Sequence, residues 1–332
     1  MQPASFPLAR PRRLRRTATL RGLVRETTLT PEHLIAPLFV KEGIAGPEPV
    51  ASMPGVAQHT VTSLRHEVKE LRSVGVAAFL LFGVPAVKDA VGSQAWNRDG
   101  ILQQAVRALR EDHGDGIVLI ADTCLDEYTS HGHCGPLRDD GTVDNDAANE
   151  SYGRAAVSQA AAGADLVAPS GMMDGQVGVI REALDAAGFA ETTGIVAYCT
   201  KYASALYGPF RDAAECAPEF GDRTTYQLDP ANADEGLREA LTDVAEGADV
   251  LLVKPAVAYL DLVWRVKQAT GLPLAAYHVS GEYAMVHAAA QNGWIDGDRV
   301  MAEVLTGIRR AGADMVITYA AGWMARRLAD GA

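Results

Sequence analysis

The sequence predicts an α/β protein that folds as a (β/α)8 barrel preceded by an extended N-terminal arm. Short apolar segments rich in Val, Ile, Leu and Ala alternate with segments of helical period, which is typical of repeated β-α units. The tripeptide Gly-Ala-Asp recurs before three of these apolar segments, and a glycine there can end the preceding helix in a left-handed conformation. No GxGxxG motif follows the first apolar segment, so an open nucleotide-binding sheet is disfavoured.

The pattern contains eight strand candidates, which is the number that a closed barrel needs. In chain order they are residues 37–40, 76–83, 117–124, 165–170, 195–201, 249–254, 274–280 and 315–319. Parallel strands that are buried on both faces read as continuous apolar runs, as these do. A chain of 332 residues fits one barrel, so we expect a single catalytic domain over residues 35–332.

Residues 1–34 are predicted to form the arm, with a role in oligomer contacts. The segment 10–26 is rich in arginine and carries Leu14, Leu20, Leu23 and Val24 between its charges. No apolar stretch follows the twin arginines, which argues against an export signal. A transit peptide or a disordered tail stays open, but the interleaved apolar residues favour an arm that packs on a neighbouring subunit.

Charge and composition narrow the partners. The net charge of −12 argues against a nucleic-acid partner, because phosphate binding needs a basic surface. No apolar stretch approaches the ~20 residues of a membrane span. The four cysteines are too few for a disulfide framework. We therefore expect a soluble cytoplasmic protein that acts on a small molecule.

Two lysines end predicted strands and are the strongest candidates for chemistry. Lys254 closes the apolar run DVLLVK and Lys201 closes GIVAYCTK. Burial and a second ammonium nearby should lower the pKa of each amine, which would leave a neutral nucleophile able to form an imine with a carbonyl compound. The alternative for either lysine is a side chain that merely reaches solvent or pairs with an acid.

Other polar residues also follow the strands, where a barrel places its active site. These candidates are Asp122, Cys124, Ser170, Ser280 and Tyr319. No serine lies in a GxSxG context, and His278 is interpreted as a hydrogen-bonded barrel residue rather than a base. Hydrolysis by a serine triad is therefore not expected.

The connection over residues 204–235 is longer than an ordinary loop and is predicted to be an active-site lid. Its Arg211 and Arg223 have planar guanidinium groups that suit a substrate carboxylate. Either arginine could instead pair with Asp212 or Asp222 at the surface. Together the two arginines favour an acidic substrate.

The segment DTCLDEYTSHGHCG, residues 122–135, gathers Cys124, Asp126, His131, His133 and Cys134 around one strand end. Thiolate and imidazole suit zinc, and a carboxylate can complete such a site. The spacing does not match a closed four-cysteine site. A reduced pair of thiols in a polar loop stays open as the alternative.

Taken together, the chain resembles the porphobilinogen synthase (5-aminolevulinate dehydratase) family along nearly its whole length. The resemblance is carried by LIAPLFVKEG, DTCLDEYTSHGHCG, VAPSGMMDG, KYASALYGPFRDAA, RTTYQLDPAN, LLVKPAVAYLD, YHVSGEYAM and GADMVITY. It implies a barrel with an N-terminal arm, a homo-octamer of arm-embracing dimers, and condensation of two 5-aminolevulinate molecules to porphobilinogen. That reaction feeds haem and related tetrapyrroles.

The resemblance also implies roles for individual residues. Lys254 would hold the substrate that supplies the propionate side, and Ser280 and Tyr319 would bind the carboxylate of that substrate. Lys201 would hold the other substrate. The remaining matched contacts are Asp122 and Ser170 to the first substrate's amine, Arg211, Arg223 and Gln227 to the second carboxylate, and Tyr207 in the lid.

The sequence departs from the family at the metal. Zinc-dependent members carry three cysteines in the loop; here Cys124 and Cys134 fill two positions and Asp126 fills the middle one. Such a mixed site could bind zinc more weakly, or stay empty while another residue steadies the second substrate's amine. Glu239 lies where magnesium-stimulated members hold an allosteric magnesium; its alternative is a solvated helix carboxylate.

Two rival functions remain on the sequence alone. Another imine-forming barrel enzyme, such as an aldolase, needs one reactive lysine and usually a phosphate-binding loop. The second rival is a catalytically silent protein on the same barrel, because one fold can host unrelated functions. The presence of both Lys201 and Lys254 disfavours each rival.

Overall fold

The computed structural model describes residues 5–330 and shows the predicted closed barrel. The first four residues of the predicted arm and the last two of the predicted barrel domain lie outside the described residues. Eight parallel strands form the ring, and pairing of the last strand with the first closes it. These strands are β1 (Leu34–Lys41), β4 (Ala78–Val84), β5 (Val118–Thr123), β6 (Leu166–Pro169), β7 (Gly194–Lys201), β8 (Val250–Lys254), β9 (Leu274–His278) and β10 (Met315–Thr318).

The remaining two strands form a small antiparallel pair beside the barrel. They are β2 (Glu48–Pro49) and β3 (Ala57–His59), and β3 also pairs with the end of β1. All eight predicted barrel strands are present. Their bounds differ from the predicted ones by up to three residues; the seventh strand ends at His278, and Ser280 is already the first residue of a helix.

Most helices connect successive strands of the barrel; the first lies in the N-terminal arm and the last follows the final strand. In chain order they are α1 (Ala18–Leu23), α2 (Val61–Ser73), α3 (Ile101–His113), α4 (Asn145–Ala162), α5 (Gln176–Ala186), α6 (Gly208–Ala214), α7 (Ala233–Ala245), α8 (Leu260–Thr270), α9 (Ser280–Gln291), α10 (Gly297–Arg310) and α11 (Ala321–Ala329). Among the described residues, no helix is long and apolar enough to cross a membrane.

The three Gly-Ala-Asp tripeptides form one repeated junction at the amino ends of the strands. The glycine adopts a positive φ of 106° at Gly163, 102° at Gly247 and 120° at Gly312, as expected for a left-handed helix end. The aspartate then bonds the neighbouring strand with both its backbone and its side chain. Its carboxylate accepts from a backbone N–H of that strand at 2.7–2.8 Å, in the pairs Asp165 with Leu119, Asp249 with Ile195, and Asp314 with Leu274.

The N-terminal arm contributes little to the core of its own chain. Its short helix α1 begins at the Thr17 cap, whose side chain accepts from the backbone N–H of Leu20. Large apolar side chains of the arm stay exposed, including Leu8 at 77% and Leu23 at 80%. The described part of the chain therefore leaves these apolar side chains uncovered.

The upper core of the barrel links β1 to the lid through aromatic rings. Phe39 is fully buried and lies 5.3 Å from the Phe82 ring, 5.7 Å from the Phe210 ring of α6 and 6.3 Å from the Tyr319 ring, measured between centroids. Such contacts add to the free energy of burying the rings. Phe39 therefore supports both the barrel and the helix that covers its mouth.

Replacing this ring tests its contribution to stability. Phe39→Ala should lower the free energy of unfolding by about 3–5 kcal/mol, because it removes a buried ring and leaves a cavity. Chemical denaturation monitored by circular dichroism measures this change. Val118→Ala, at a side chain that is 39% exposed, is the control and should change the free energy by less than about 0.5 kcal/mol. Equal losses in the two variants would contradict the assignment.

Candidate active site

Lys201 and Lys254 lie side by side at the carboxyl ends of adjacent strands. They end β7 and β8, and the strand register pairs them directly with each other. Each residue is only 4% exposed. The alternative of a lysine that reaches solvent is therefore wrong for both side chains.

The Lys254 amine is surrounded by aromatic rings. Its Nζ lies 4.6 Å from the ring centroid of Tyr277, 4.9 Å from Phe210, 5.1 Å from Tyr207 and 5.2 Å from Tyr198. The described residues give this Nζ no ion pair. Burial, and after it the neighbouring Lys201 ammonium, lowers the pKa of Lys254 to about 7. A large fraction of this amine is therefore neutral at physiological pH, as the sequence predicted.

Lys201 does not follow the same prediction. Burial acts to lower its pKa, but the Cys134 and Cys124 thiols and the Asp126 carboxylate act in the opposite direction and leave the pKa raised. Its Nζ donates to the backbone carbonyl of Ser170. The expectation that both lysines have lowered pKa values is thus wrong for Lys201, because acidic groups from the β5 loop face it.

Asp122, on β5, bonds two side chains from the strands that follow it in the barrel. Its carboxylate accepts hydrogen bonds from the hydroxyls of Ser170 and Tyr198, each at 3.3 Å. Burial, followed by the nearby Asp126 charge, raises the pKa of Asp122 to about 7. Asp122 can therefore hold or release a proton near neutral pH, which suits a general acid or base.

Tyr198 is a site residue that the sequence analysis missed. In a regular strand, residues three apart point to opposite faces, so Tyr198 and Lys201 would not share the barrel interior. The pairing of β7 with β8 shifts register between Ala197 and Thr200, and this irregularity brings both side chains to one site. The sequence carries no signal for this shift.

Ser280, Tyr319 and Tyr207 lie around the same mouth, as predicted. The Ser280 hydroxyl accepts from the Phe210 backbone N–H at 3.0 Å, which ties the start of α9 to the lid. The Tyr319 hydroxyl lies 3.0 Å from that of Tyr277. The Tyr207 hydroxyl donates to the Lys254 carbonyl at 3.2 Å.

The lid contains three buried donors that have no hydrogen-bond partner among the described residues. They are Nε of Arg211, Nε of Arg223 and Nε2 of Gln227, which are the residues expected to hold the second carboxylate. Buried donors are normally paired, so an unpaired set indicates a place for an acceptor. Burial, followed by Tyr259 and Glu282, raises the pKa of Tyr207. The positive charges of Arg223 and Arg211 are close enough to oppose this rise.

Arg223 does not pair with Asp222, which was its alternative. The guanidinium is 5% exposed and donates to the Asp126 carboxylate at 2.7 Å. It also donates to the carbonyls of Gly132 at 2.9 Å and Cys216 at 2.7 Å. Asp222 instead accepts from Thr224. Arg223 therefore ties the lid to the loop after β5.

The rings of the two histidines in that loop bond protein groups rather than a metal. His133 lies 3.1 Å from the Tyr226 hydroxyl and 3.1 Å from the Phe220 carbonyl. His131 accepts from the His133 backbone N–H and lies 3.1 Å from the Ala90 carbonyl. Both ring nitrogens of each histidine are engaged, so neither ring is free to bind a metal.

Cys124, Asp126 and Cys134 do form a group with metal-binding geometry. Their ligand atoms lie within 4.8 Å of one another, and all three residues are buried. Burial raises the pKa of the Cys124 thiol well above its usual value. Burial acts in the same direction on Cys134, but its hydrogen bond with Cys124 helps to leave the pKa of Cys134 lowered. Two sulfurs and a carboxylate oxygen fit a three-ligand zinc site with an open position, in which zinc would replace the thiol protons.

Glu127 is a second residue that the sequence analysis did not select. It forms a further group with Asp122 and Cys124 within the same 4.8 Å limit, and neither of its carboxyl oxygens has a hydrogen-bond partner among the described residues. Burial, and then the Asp126 charge, raises its pKa well above the usual range. The surroundings of Glu127 therefore favour the protonated form of its carboxyl group.

Glu239 occupies a different place from the other candidates. It is half-buried on α7 and, with Asp174 and Glu235, lines a cavity of about 450 Å³. Burial, and then these two carboxylates, raises its pKa. Among the described residues it belongs to no close group of three metal donors. It is thus neither a fully solvated carboxylate nor part of a tight ligand set.

These features define an α/β-barrel enzyme with two buried amines at its mouth and three buried lid donors that have no hydrogen-bond partner among the described residues. The family model described as Delta-aminolevulinic acid dehydratase matches residues 8–327. The chain belongs to this family of lyases.

Similar proteins extend over almost the full chain. The delta-aminolevulinic acid dehydratase of Synechococcus elongatus is 54% identical, with 98% of this chain and 100% of the relative covered. That of Bacillus subtilis is 52% identical over 95% of this chain and 98% of the relative. The Toxoplasma gondii enzyme, solved with its reaction product porphobilinogen, has a TM-score of 0.94 and 44% identity, with coverage of 98% of this chain and 92% of that one.

The pKa of Lys254 can be tested without turnover. Trapping of a 4-oxopentanoate imine with borohydride should rise with pH around a midpoint near 7, because the neutral amine is the nucleophile. Lys201→Met should move this midpoint to higher pH, since it removes an ammonium that disfavours charge on Lys254. The exposed Lys69→Met is the control. A midpoint that Lys201→Met leaves unchanged or lowers would show that the two amines do not interact as described.

Proposed function

We propose that this chain is a porphobilinogen synthase, which condenses two molecules of 5-aminolevulinate into porphobilinogen with loss of two waters in tetrapyrrole biosynthesis. The observation that carries this proposal is the pair of buried lysines in register at the barrel mouth, in a chain of this family. Two amines at one site match a reaction that must hold two ketones together.

Each lysine has a separate part in the proposed reaction. The neutral Lys254 amine attacks the ketone of the substrate that supplies the propionate side, and one water leaves as the imine forms. Lys201 forms the corresponding imine with the ketone of the second substrate after its ammonium has lost a proton, and the second water leaves. Holding both ketones beside each other replaces a collision of two dilute molecules with a reaction between neighbours.

The imines then allow bond formation. Protonated nitrogen makes the adjacent C–H more acidic, so the carbon of one substrate can attack the imine carbon of the other. The free amine of the substrate on Lys254 then attacks the imine carbon of the substrate on Lys201, which closes the ring and releases Lys201. Lys254 leaves from the carbon that received the new carbon–carbon bond, and loss of a final proton gives the aromatic pyrrole. Asp122 is close enough for both lysine charges to act on it and has a pKa of about 7, which suits a group that accepts and returns these protons.

The two carboxylates are bound by two different groups of residues in this proposal. Ser280 and Tyr319 bind the carboxylate of the substrate on Lys254. The unpaired donors of Arg211, Arg223 and Gln227 bind the carboxylate of the substrate on Lys201. Ser170 and Asp122 contact the first substrate's amine, and Tyr207 covers the site as part of a lid over residues 204–235.

Two metal sites belong to the proposal. Cys124, Asp126 and Cys134 would hold zinc, which when bound would supply Lewis-acid chemistry to the second substrate's amine. Glu239 would hold an allosteric magnesium, which commonly uses one or two carboxylates and keeps several waters. The cavity beside Glu239, lined also by Asp174 and Glu235, suits such a hydrated ion.

The arm supports a homo-octamer of dimers that embrace through residues 1–34. Its exposed Leu8, Leu14 and Leu23 need a partner surface, and the barrel of the same chain does not cover them. The expected setting is the cytoplasm, and neither nucleic acid nor membrane is expected as a partner. The rival aldolase function is disfavoured because its single lysine would leave the second buried amine without a role.

Turnover is the direct test of the proposed function. The purified protein, supplied with 5-aminolevulinate, zinc and magnesium, should form porphobilinogen, measured by its pyrrole colour reaction. Lys254→Ala and Lys201→Ala should each lower kcat by at least about 10³-fold, because each removes a covalent attachment point. Lys69→Ala should leave kcat unchanged. Product formation by Lys254→Ala at the rate of the unmodified protein would rule out its assigned role.

Removal of the arm tests the assembly. A chain that begins at residue 35 should sediment as a smaller species than the full chain, because the exposed apolar surface of the arm is lost. Sedimentation velocity at matched protein concentrations measures this change. Leu23→Ser, within the arm, should weaken assembly in the same direction. Identical sedimentation of the full and shortened chains would contradict the role of the arm.

A further inference from the structure

Asp126 has two competing demands on its single negative charge. It belongs to the group with Cys124 and Cys134 whose ligand atoms lie within 4.8 Å, and it also accepts from the Arg223 guanidinium at 2.7 Å. Both partners of this ion pair are almost fully buried, at 2% and 5% exposed. Solvent therefore screens little of the attraction between Asp126 and Arg223, so a metal that binds Asp126 changes the electrostatic environment of Arg223.

Arg223 also has two possible partners for its charge: the Asp126 carboxylate and a substrate carboxylate. Its Nε has no hydrogen-bond partner among the described residues, although the side chain is buried. Its positive charge, however, is already balanced by Asp126. An incoming carboxylate would meet a neutralised arginine as long as this ion pair persists.

We propose that Asp126 is a positioning residue that exchanges partners: a divalent metal at Cys124 and Cys134 takes the Asp126 carboxylate and thereby releases the Arg223 charge for a substrate carboxylate. This rests on the proposed function for the identity of the substrate and deepens it by linking metal binding to recognition of the second substrate. The metal centre and the lid arginine are then coupled, and the coupling is reciprocal.

The lid is part of this device. Arg223 reaches across from the lid to the β5 loop, and it also donates to the carbonyls of Gly132 and Cys216. Loss of the Asp126 contact removes the charged component of this attachment and leaves the neutral hydrogen bonds. The metal should therefore loosen the lid until a carboxylate replaces Asp126 beside Arg223.

A double-mutant cycle with zinc as the probe tests the exchange without any substrate. Zinc affinity is measured on the metal-free full-length protein by competition with a chromophoric chelator. Arg223→Gln should tighten zinc binding by on the order of tenfold, because Asp126 is no longer held by a cation, and Asp126→Asn should weaken binding by a similar factor. In the Asp126→Asn background, Arg223→Gln should have no further effect.

The alternatives give different patterns in the same cycle. If Asp126 is not a ligand, Asp126→Asn leaves zinc affinity unchanged and the proposal fails. If Arg223 only repels the metal through space, Arg223→Gln tightens binding equally in both backgrounds and the proposal fails. Asp222→Asn, at an exposed lid carboxylate that bonds Thr224, is the control and should not alter zinc affinity.

A second measurement covers the case in which Arg223→Gln does not fold. Amide hydrogen exchange over residues 216–226 should become faster by a few-fold when zinc is added to the unmodified protein. Asp126→Asn should show fast exchange with or without zinc. Slower or unchanged exchange on zinc addition to the unmodified protein would overturn the proposal. Neither measurement uses 5-aminolevulinate. A failure of the exchange between metal and arginine is therefore distinguishable from an absence of porphobilinogen formation.

Discussion

The burial of two lysine amines at neighbouring strand ends is the constraint on which the rest of the site depends. An ammonium withdrawn from water needs compensation, and two of them repel each other at close range. The chain resolves this asymmetrically. Lys201 is compensated by acidic groups of the β5 loop, whereas Lys254 is surrounded by aromatic rings and loses part of its charge. One amine is thus held charged and the other is made nucleophilic.

The fold and the two lysines could be predicted from the sequence because both are local patterns. The apolar runs of β7 and β8 are continuous, each ends in lysine, and a barrel brings all such ends to one rim. The repeated Gly-Ala-Asp junctions likewise report a backbone conformation that glycine alone adopts easily. Neither inference needs to know which distant residues meet.

The rest of the site could not be predicted because it depends on contacts across the chain. Asp126 and Arg223 are 97 residues apart, and nothing near either one indicates that they pair. The raised pKa of Lys201 has the same origin, since it comes from the β5 loop rather than from β7. Tyr198 reaches the site only through a register shift in its strand. Spacing along the sequence cannot reveal charge balance in a folded interior.

The Gly-Ala-Asp junctions lie at the amino ends of the strands, away from this chemistry. Each aspartate fastens the start of its own strand to its neighbour by a backbone and a side-chain bond, independently of any residue at the mouth. Three of the eight strand pairs in the ring, β5–β6, β7–β8 and β9–β10, are therefore held at their amino ends by bonds that do not involve the charged residues at the mouth. Substitutions at the mouth can therefore change the substrate of such a barrel while these hydrogen bonds at the amino ends of the strands stay in place.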